Sequence, residues 1–113
     1  TQAAADYADV IYIPTDNTAA ANTEAIANVL IPAKVPAICG EEGICSGCGV
    51  ATLSISYYDL GVTTGKMAAK ILTGETDISK MPIEYTSATK KYNASMCDAL
   101  GIKPLDGYTA IGE

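Results

Sequence analysis

Thr15-Asp16-Asn17, Glu41-Glu42 and Tyr57-Tyr58 are the residues of this 113-residue chain whose types and spacing suit the handling of a small polar molecule. Thr15, Asp16 and Asn17 follow the apolar run Ile11-Tyr12-Ile13 and a stop at Pro14. An aspartate there can accept hydrogen bonds from an ammonium, while a hydroxyl and free backbone N–H groups can serve a carboxylate. The same residues also suit plain helix capping, with Asn17 or Thr18 as the capping side chain. Glu41 and Glu42 follow a second apolar run, Val35 to Cys39. Adjacent acids on an extended loop point opposite ways, so they cannot flank one bond as the paired acids of a glycosidase do. One is expected to face a cleft, as a second partner for an ammonium, and the other solvent. Tyr57 and Tyr58 each offer apolar area with a polar tip, which suits a pocket wall or the core between strand and helix. One of each is expected.

The cysteines allow a different chemistry. Cys45-Ser46-Gly47-Cys48 is a C-x-x-C, which serves as a redox pair or as half a zinc site, and Cys39 is close enough in sequence to join it. A redox pair of the thioredoxin type opens a helix, whereas this one is expected in a glycine-rich stretch before a strand. A zinc site would need Cys97 from far along the chain. A local disulfide or free thiols is the expected state, and a redox or metal-binding α/β domain is the competing reading of the chain.

Composition narrows the field. The formal charge is -6 and the pI about 4.4, which argues against nucleic acid and anionic membrane surfaces, both held chiefly by Lys and Arg. All the basic residues are lysines, so no guanidinium fork is available for carboxylates or phosphates. Histidine is absent. Ser-His-Asp, Cys-His and His-metal chemistries therefore cannot be built from this chain alone. No apolar run is long enough to cross a bilayer, and Thr1 to Asp6 lacks the features of a signal peptide. Any targeting segment is expected to lie outside this sequence.

The elements that must position these residues follow from changes of hydrophobic period. Val10 to Ile13, Ala37 to Cys39 and Ala51 to Ile55 read as strands, and Ala19 to Leu30 and Leu60 to Leu72 as helices. Strand, helix, strand makes a βαβ unit with parallel strands, expected to be right-handed. Ala20, Thr23, Ile26, Ala27 and Leu30 form the apolar stripe of the first helix, with Pro32 and Pro36 bracketing its exit. Asp59 is expected to cap the second, in which Leu60, Thr64, Met67, Ala68, Ile71 and Leu72 line one face. Gly61 and Gly65, one turn apart on it, suggest a close backbone approach. Pro82 to Thr86 reads as an edge strand, and Asn93 as the cap of a last helix that closes on Gly101. The tail from Lys103 shows no periodicity. In such α/β sheets ligands sit beyond the carboxyl ends of the strands, where Thr15, Asp16, Asn17, Glu41 and Glu42 fall.

Three blocks carry a family resemblance: Ala8-Asp9-Val10-Ile11-Tyr12-Ile13-Pro14-Thr15-Asp16-Asn17, Glu41-Glu42-Gly43, and Tyr57-Tyr58-Asp59-Leu60-Gly61-Val62-Thr63-Thr64-Gly65-Lys66-Met67-Ala68 onward to Gly74. In this order they resemble ABC-transporter substrate-binding proteins of the type associated with tryptophan and tyrosine uptake. The resemblance implies an α/β fold of the periplasmic-binding-protein kind, Rossmann-like, with a parallel sheet, flanking helices and two lobes that close on a ligand. It also implies an incomplete bilobal protein. Residues 1–49 resemble part of the C-terminal lobe, residues 50–80 a segment crossing to the N-terminal lobe, and residues 81–113 the return. The implied function is non-enzymatic binding of an amino acid, aromatic favoured, for delivery to an ABC permease. The implied location is outside the cytoplasmic membrane, periplasmic or as a cell-surface lipoprotein. A sensory ligand-binding module fits the same residues. Asp16 is then the leading ligand contact. The cysteines fall in a loop that usually has none, and Ser56 stands where many members carry an acid or amide. Faces left without their covering layer would favour a homo-oligomer by segment exchange, with the glycine-rich stretch Gly43 to Gly49 as hinge.

Overall fold

The short β-branched runs pair as one sheet in a computed structural model that describes residues 1–112. Strands β1 (Ile11–Ile13), β2 (Ala37–Cys39), β3 (Ala51–Ile55), β4 (Ala88–Tyr92) and β5 (Thr109–Ala110) lie in that order in a mixed, mostly parallel sheet. β1 pairs parallel with β2, β2 with β3, and β4 with β5. Ile13 is in register with Cys39, and Cys39 with Thr52. All three therefore point to one face, and all three are buried. Tyr12, Ile38 and Leu53 point to the other face and are exposed. The first of these faces carries the buried core.

The chain divides into two compact units, residues 1–54 with residues 89 onward, and residues 55–88. In the first, the expected helix over Ala19 to Leu30 is two helices, α2 (Asn17–Ala20) and α3 (Thr23–Ala33), after the short N-terminal α1 (Gln2–Ala5). Asp16 caps α2, not Asn17 or Thr18: its backbone is extended (φ -145°, ψ 127°) and its Oδ1 accepts from the Ala19 N–H at 2.7 Å. Asn17 is the first helical residue. α3 runs on through Pro32, which was expected to mark the exit, and stops at Lys34 in a left-handed conformation (φ 56°). Leu30 and Ala27 of the expected stripe are buried.

The stretch expected to be a flexible glycine and cysteine loop is a helix, α4 (Glu42–Cys48). The Glu41 side chain starts it by accepting from the Gly43 N–H at 2.8 Å and from the Ile44 N–H. Ile44, Cys45 and Cys48 then fall on one helical face and are fully buried. Its glycines serve packing. A Cβ on Gly47 would lie 2.3 Å from Oγ1 and 2.4 Å from Cβ of Thr23 on α3, and one on Gly49 would lie 2.3 Å from Sγ of Cys39. The hinge expected between Gly43 and Gly49 is thus a packed helix. α6 (Ala94–Leu100) is capped by Asn93 and closed by Gly101 (φ 69°), as its sequence predicts. The tail, read as aperiodic, supplies β5.

In the second unit α5 (Tyr57–Leu72) is capped by Ser56, whose Oγ accepts from the Asp59 N–H at 3.1 Å, so Asp59 is inside the helix rather than its cap. None of its residues is buried, and a Cβ on Gly61 or Gly65 meets no heavy atom within 4 Å among the described residues. The close approach expected there is not made among the described residues. Pro82 to Thr86 forms no strand. Pro82 lacks a donor, and Ile83 and Tyr85 are 91% and 87% exposed, so pairing there would bury nothing.

Candidate functional site

Two loops leave the sheet side by side at the carboxyl ends of β1 and β2. Their spacing is fixed by a hydrogen bond from the Gly40 N–H to the Ile13 carbonyl, 2.8 Å long. Pro14 then ends the ladder for want of an N–H. Thr15 folds against Gly40 so closely that a Cβ on residue 40 would lie 2.9 Å from the Thr15 nitrogen, 3.1 Å from its Oγ1 and 3.2 Å from the Tyr12 Oη. Gly40 and Tyr12 are parts of the site that side-chain chemistry alone does not single out. The available signal was a glycine directly after a buried strand, where two backbones approach.

Thr15 and Asp16 on the first loop and Asn17 at the start of α2 are exposed, and the Asp16 carboxylate has one oxygen occupied by the Ala19 cap. On the second, Glu41 turns its carboxylate back onto the Gly43 and Ile44 N–H groups. Glu42 is helical rather than on an extended loop and pairs with Lys91 at 3.4 Å. Such a partly exposed pair contributes about 0–1 kcal/mol. Tyr57 and Tyr58 fall in the second unit, on the first turn of α5, 58% and 80% exposed, so neither is the core residue expected of one of them. A concavity of about 160 Å³ lies elsewhere, among Ile38, Val50, Ala51, Tyr92, Leu105 and Tyr108, and contains none of these residues. The two loops offer hydrogen-bond donors and carboxylates without imidazole or guanidinium, which suits recognition of polar atoms.

The thiols behave differently. Cys39, Cys45, Cys48 and Cys97 are free and buried, and among the described residues no group of three or more acidic, Cys or His side chains is arranged to hold a metal. The Cys39 thiol is pushed up from 9.0 to about 12, chiefly by its hydrogen bond with Cys45, then by burial; a hydrogen bond with Cys48 opposes the rise. The hydrogen bond with Cys39, then burial, pushes Cys48 up, and burial followed by Asp98 raises Cys97. Protonated, buried thiols are poor nucleophiles. The native protein should be inert to a thiol-specific disulfide reagent near pH 7.5 and yield its thiols in denaturant; rapid native labelling of Cys39 or Cys48 would contradict this. A folded value above the unfolded one stabilises the fold below pH 9, and that stabilisation is lost as pH rises from about 9 toward 12.

The family model of the ABC transporter substrate binding protein matches residues 1–106. A tyrosine-binding protein of Clostridioides difficile (strain R20291) is 32% identical over 82 residues, which are 73% of this chain and 24% of that protein. Among solved structures, the ligand-free, open form of a substrate binding protein with adhesive properties from Clostridium difficile superposes with a TM-score of 0.76 at 29% identity, over 96% of this chain and 38% of that one. An ABC domain in complex with L-Trp from Streptococcus pneumonia gives 0.79 at 24% identity, over 96% and 39%, a likeness of fold. The chain spans about a quarter of the tyrosine-binding relative and under two-fifths of either structure.

Proposed function

This chain belongs to the ABC transporter substrate-binding protein family, and we propose that it is part of a component that binds an amino acid, aromatic favoured, outside the cytoplasmic membrane and passes it to an ABC permease. The observation that carries the reading is the pair of polar loops, Thr15 to Asn17 and Gly40 to Glu42, held side by side at the carboxyl edge of parallel strands. The tyrosine-binding relative supports the ligand class. Thr15, Asp16, Asn17, Glu41 and Glu42 contribute from one lobe in this reading, and Tyr57 and Tyr58 from the segment of residues 50–80 that crosses to the other. Residues 81–113 return. The division of the chain at Ser54 supports that assignment. Ligand bridging two lobes would shift an open–closed equilibrium through its higher affinity for the closed form. The exposed face of Tyr12, Ile38 and Leu53 supports self-association of the chain when alone.

Asp16 separates capping from ligand contact. Asp16→Asn keeps an N-cap oxygen and should leave stability nearly unchanged, yet weaken an amino acid about ten-fold or more if the carboxylate meets its ammonium. Asp16→Ala should add a loss of ~1 kcal/mol in stability. Calorimetric titration of L-tyrosine and L-tryptophan into the native polypeptide that contains these residues, with a denaturation curve for each variant, reads both quantities. Full affinity in Asp16→Asn would leave Asp16 as a cap and nothing more.

A further inference from the structure

The edge described above gathers donors that neither capping nor ion pairing uses. The phenol of Tyr12, the backbone N–H of Thr15 and the hydroxyl of Thr15 lie 3.2, 2.9 and 3.1 Å from one point, the place a Cβ on residue 40 would occupy. Tyr12 starts from the open sheet face in register with Ile38, and its hydroxyl reaches along β2 to Gly40 while the side chain stays 66% exposed. None of the three donors has a hydrogen-bond partner among the described residues. The acids beside them are partly engaged: one oxygen of Asp16 with Ala19, Glu41 with Gly43 and Ile44, and one oxygen of Glu42 with Lys91. An edge whose uncommitted groups include an N–H and two O–H donors close together, on residues that are exposed, matches an acceptor-only ligand group with two oxygens. That group is a carboxylate.

We propose that Tyr12 and Thr15 form the subsite that takes the carboxylate of the amino acid ligand, and that Gly40 lets the two come together. The proposal rests on the amino-acid-binding reading and adds to it which group of the ligand is held where. Gly40 is needed because a methyl at residue 40 would press on the Thr15 backbone nitrogen, which cannot swing aside as a side-chain tip can.

The test compares an acid with its amide. L-tyrosine, L-tryptophan and their carboxamides are titrated by calorimetry into the native polypeptide containing this chain and into its Tyr12→Phe variant, which keeps the ring and removes the hydroxyl. The expected result is a loss of about ten-fold in affinity for the acids with the amides unaffected, so that the preference for the acid shrinks. Gly40→Ala should weaken the acids more than the amides as well. Undiminished binding of the acids by Tyr12→Phe, or an equal loss for acids and amides, overturns the subsite and leaves the amino-acid reading standing. Failure of the native polypeptide to bind either amino acid overturns that reading and the subsite with it.

Discussion

Asn93→Ala should lower stability by about 2–4 kcal/mol, beyond the ~1 kcal/mol that losing a helix cap costs. Asn93 is 6% exposed. Its Oδ1 accepts from the Met96 N–H at 3.2 Å and from the Ser95 hydroxyl at 2.8 Å, which is the capping role its place before α6 predicts. Its Nδ2 meanwhile donates to the carbonyls of Cys45 and Ser46, both at 2.9 Å, and its backbone N–H to the carbonyl of Val50 at 3.0 Å. One side chain thus joins the last turn of α4 to the start of α6, beside β3. Alanine leaves the part-buried Ser46 carbonyl without that donor and removes one of the two donors at the buried Cys45 carbonyl, which keeps the Gly49 N–H; a buried acceptor left unpaired costs about 1–3 kcal/mol. Asn93→Ser keeps an oxygen for the cap but cannot reach both carbonyls, so it should fall between alanine and the native residue. Urea denaturation of the three proteins checks this. A loss for alanine near the value of a cap alone, with serine as stable as the native protein, would show that the two long-range bonds add nothing.

Gly47→Ala should destabilise the fold by about 1–3 kcal/mol, although helix propensity alone predicts a gain of about 1 kcal/mol for the same change. Gly47 is an interior residue of α4, where alanine is the better helix former. The added methyl would sit 2.3 Å from Oγ1, 2.4 Å from Cβ and 3.0 Å from Cγ2 of Thr23. Two of these are far inside van der Waals contact, and a Cβ cannot move without its backbone, so α3 and α4 must part. Their parting would open the packing around Leu30 and Ile44, both fully buried. A double-mutant cycle isolates the cause: in a Thr23→Gly background the clash is gone and Gly47→Ala should be neutral or stabilising. Equal effects of Gly47→Ala in both backgrounds would sink the explanation, as would a simple gain in stability from the single change.

Much of the frame was legible because it depends on local rules. Ala37–Cys39 and Ala51–Ile55 are strands as their apolar, β-branched runs predict. Asn93 and Gly101 bound α6 because an amide beside free N–H groups and a residue without a Cβ are the local solutions to helix ends. The exclusion of histidine-dependent chemistry needed only composition.

The misreadings share one cause. Gly43, Gly47 and Gly49 suggested a flexible loop, since glycine's backbone freedom is the property visible in sequence. What the fold uses at Gly47 and Gly49 is the absence of a side chain, and that has meaning only once Thr23 and Cys39 are brought against them. Pro82 to Thr86 alternates like a strand, but the tertiary structure leaves Ile83 and Tyr85 exposed and pairs Ala88–Tyr92 instead. Polar residue types placed Thr15, Asp16, Asn17, Glu41 and Glu42 at two strand ends, because strand boundaries are local. Which of their atoms are occupied, by Ala19, by Gly43 and Ile44, or by Lys91, was decided by backbone direction and long-range pairing. So was the meeting of Tyr12 and Thr15 at Gly40, 25 or more residues along the chain, which the parallel register of β1 and β2 brings about.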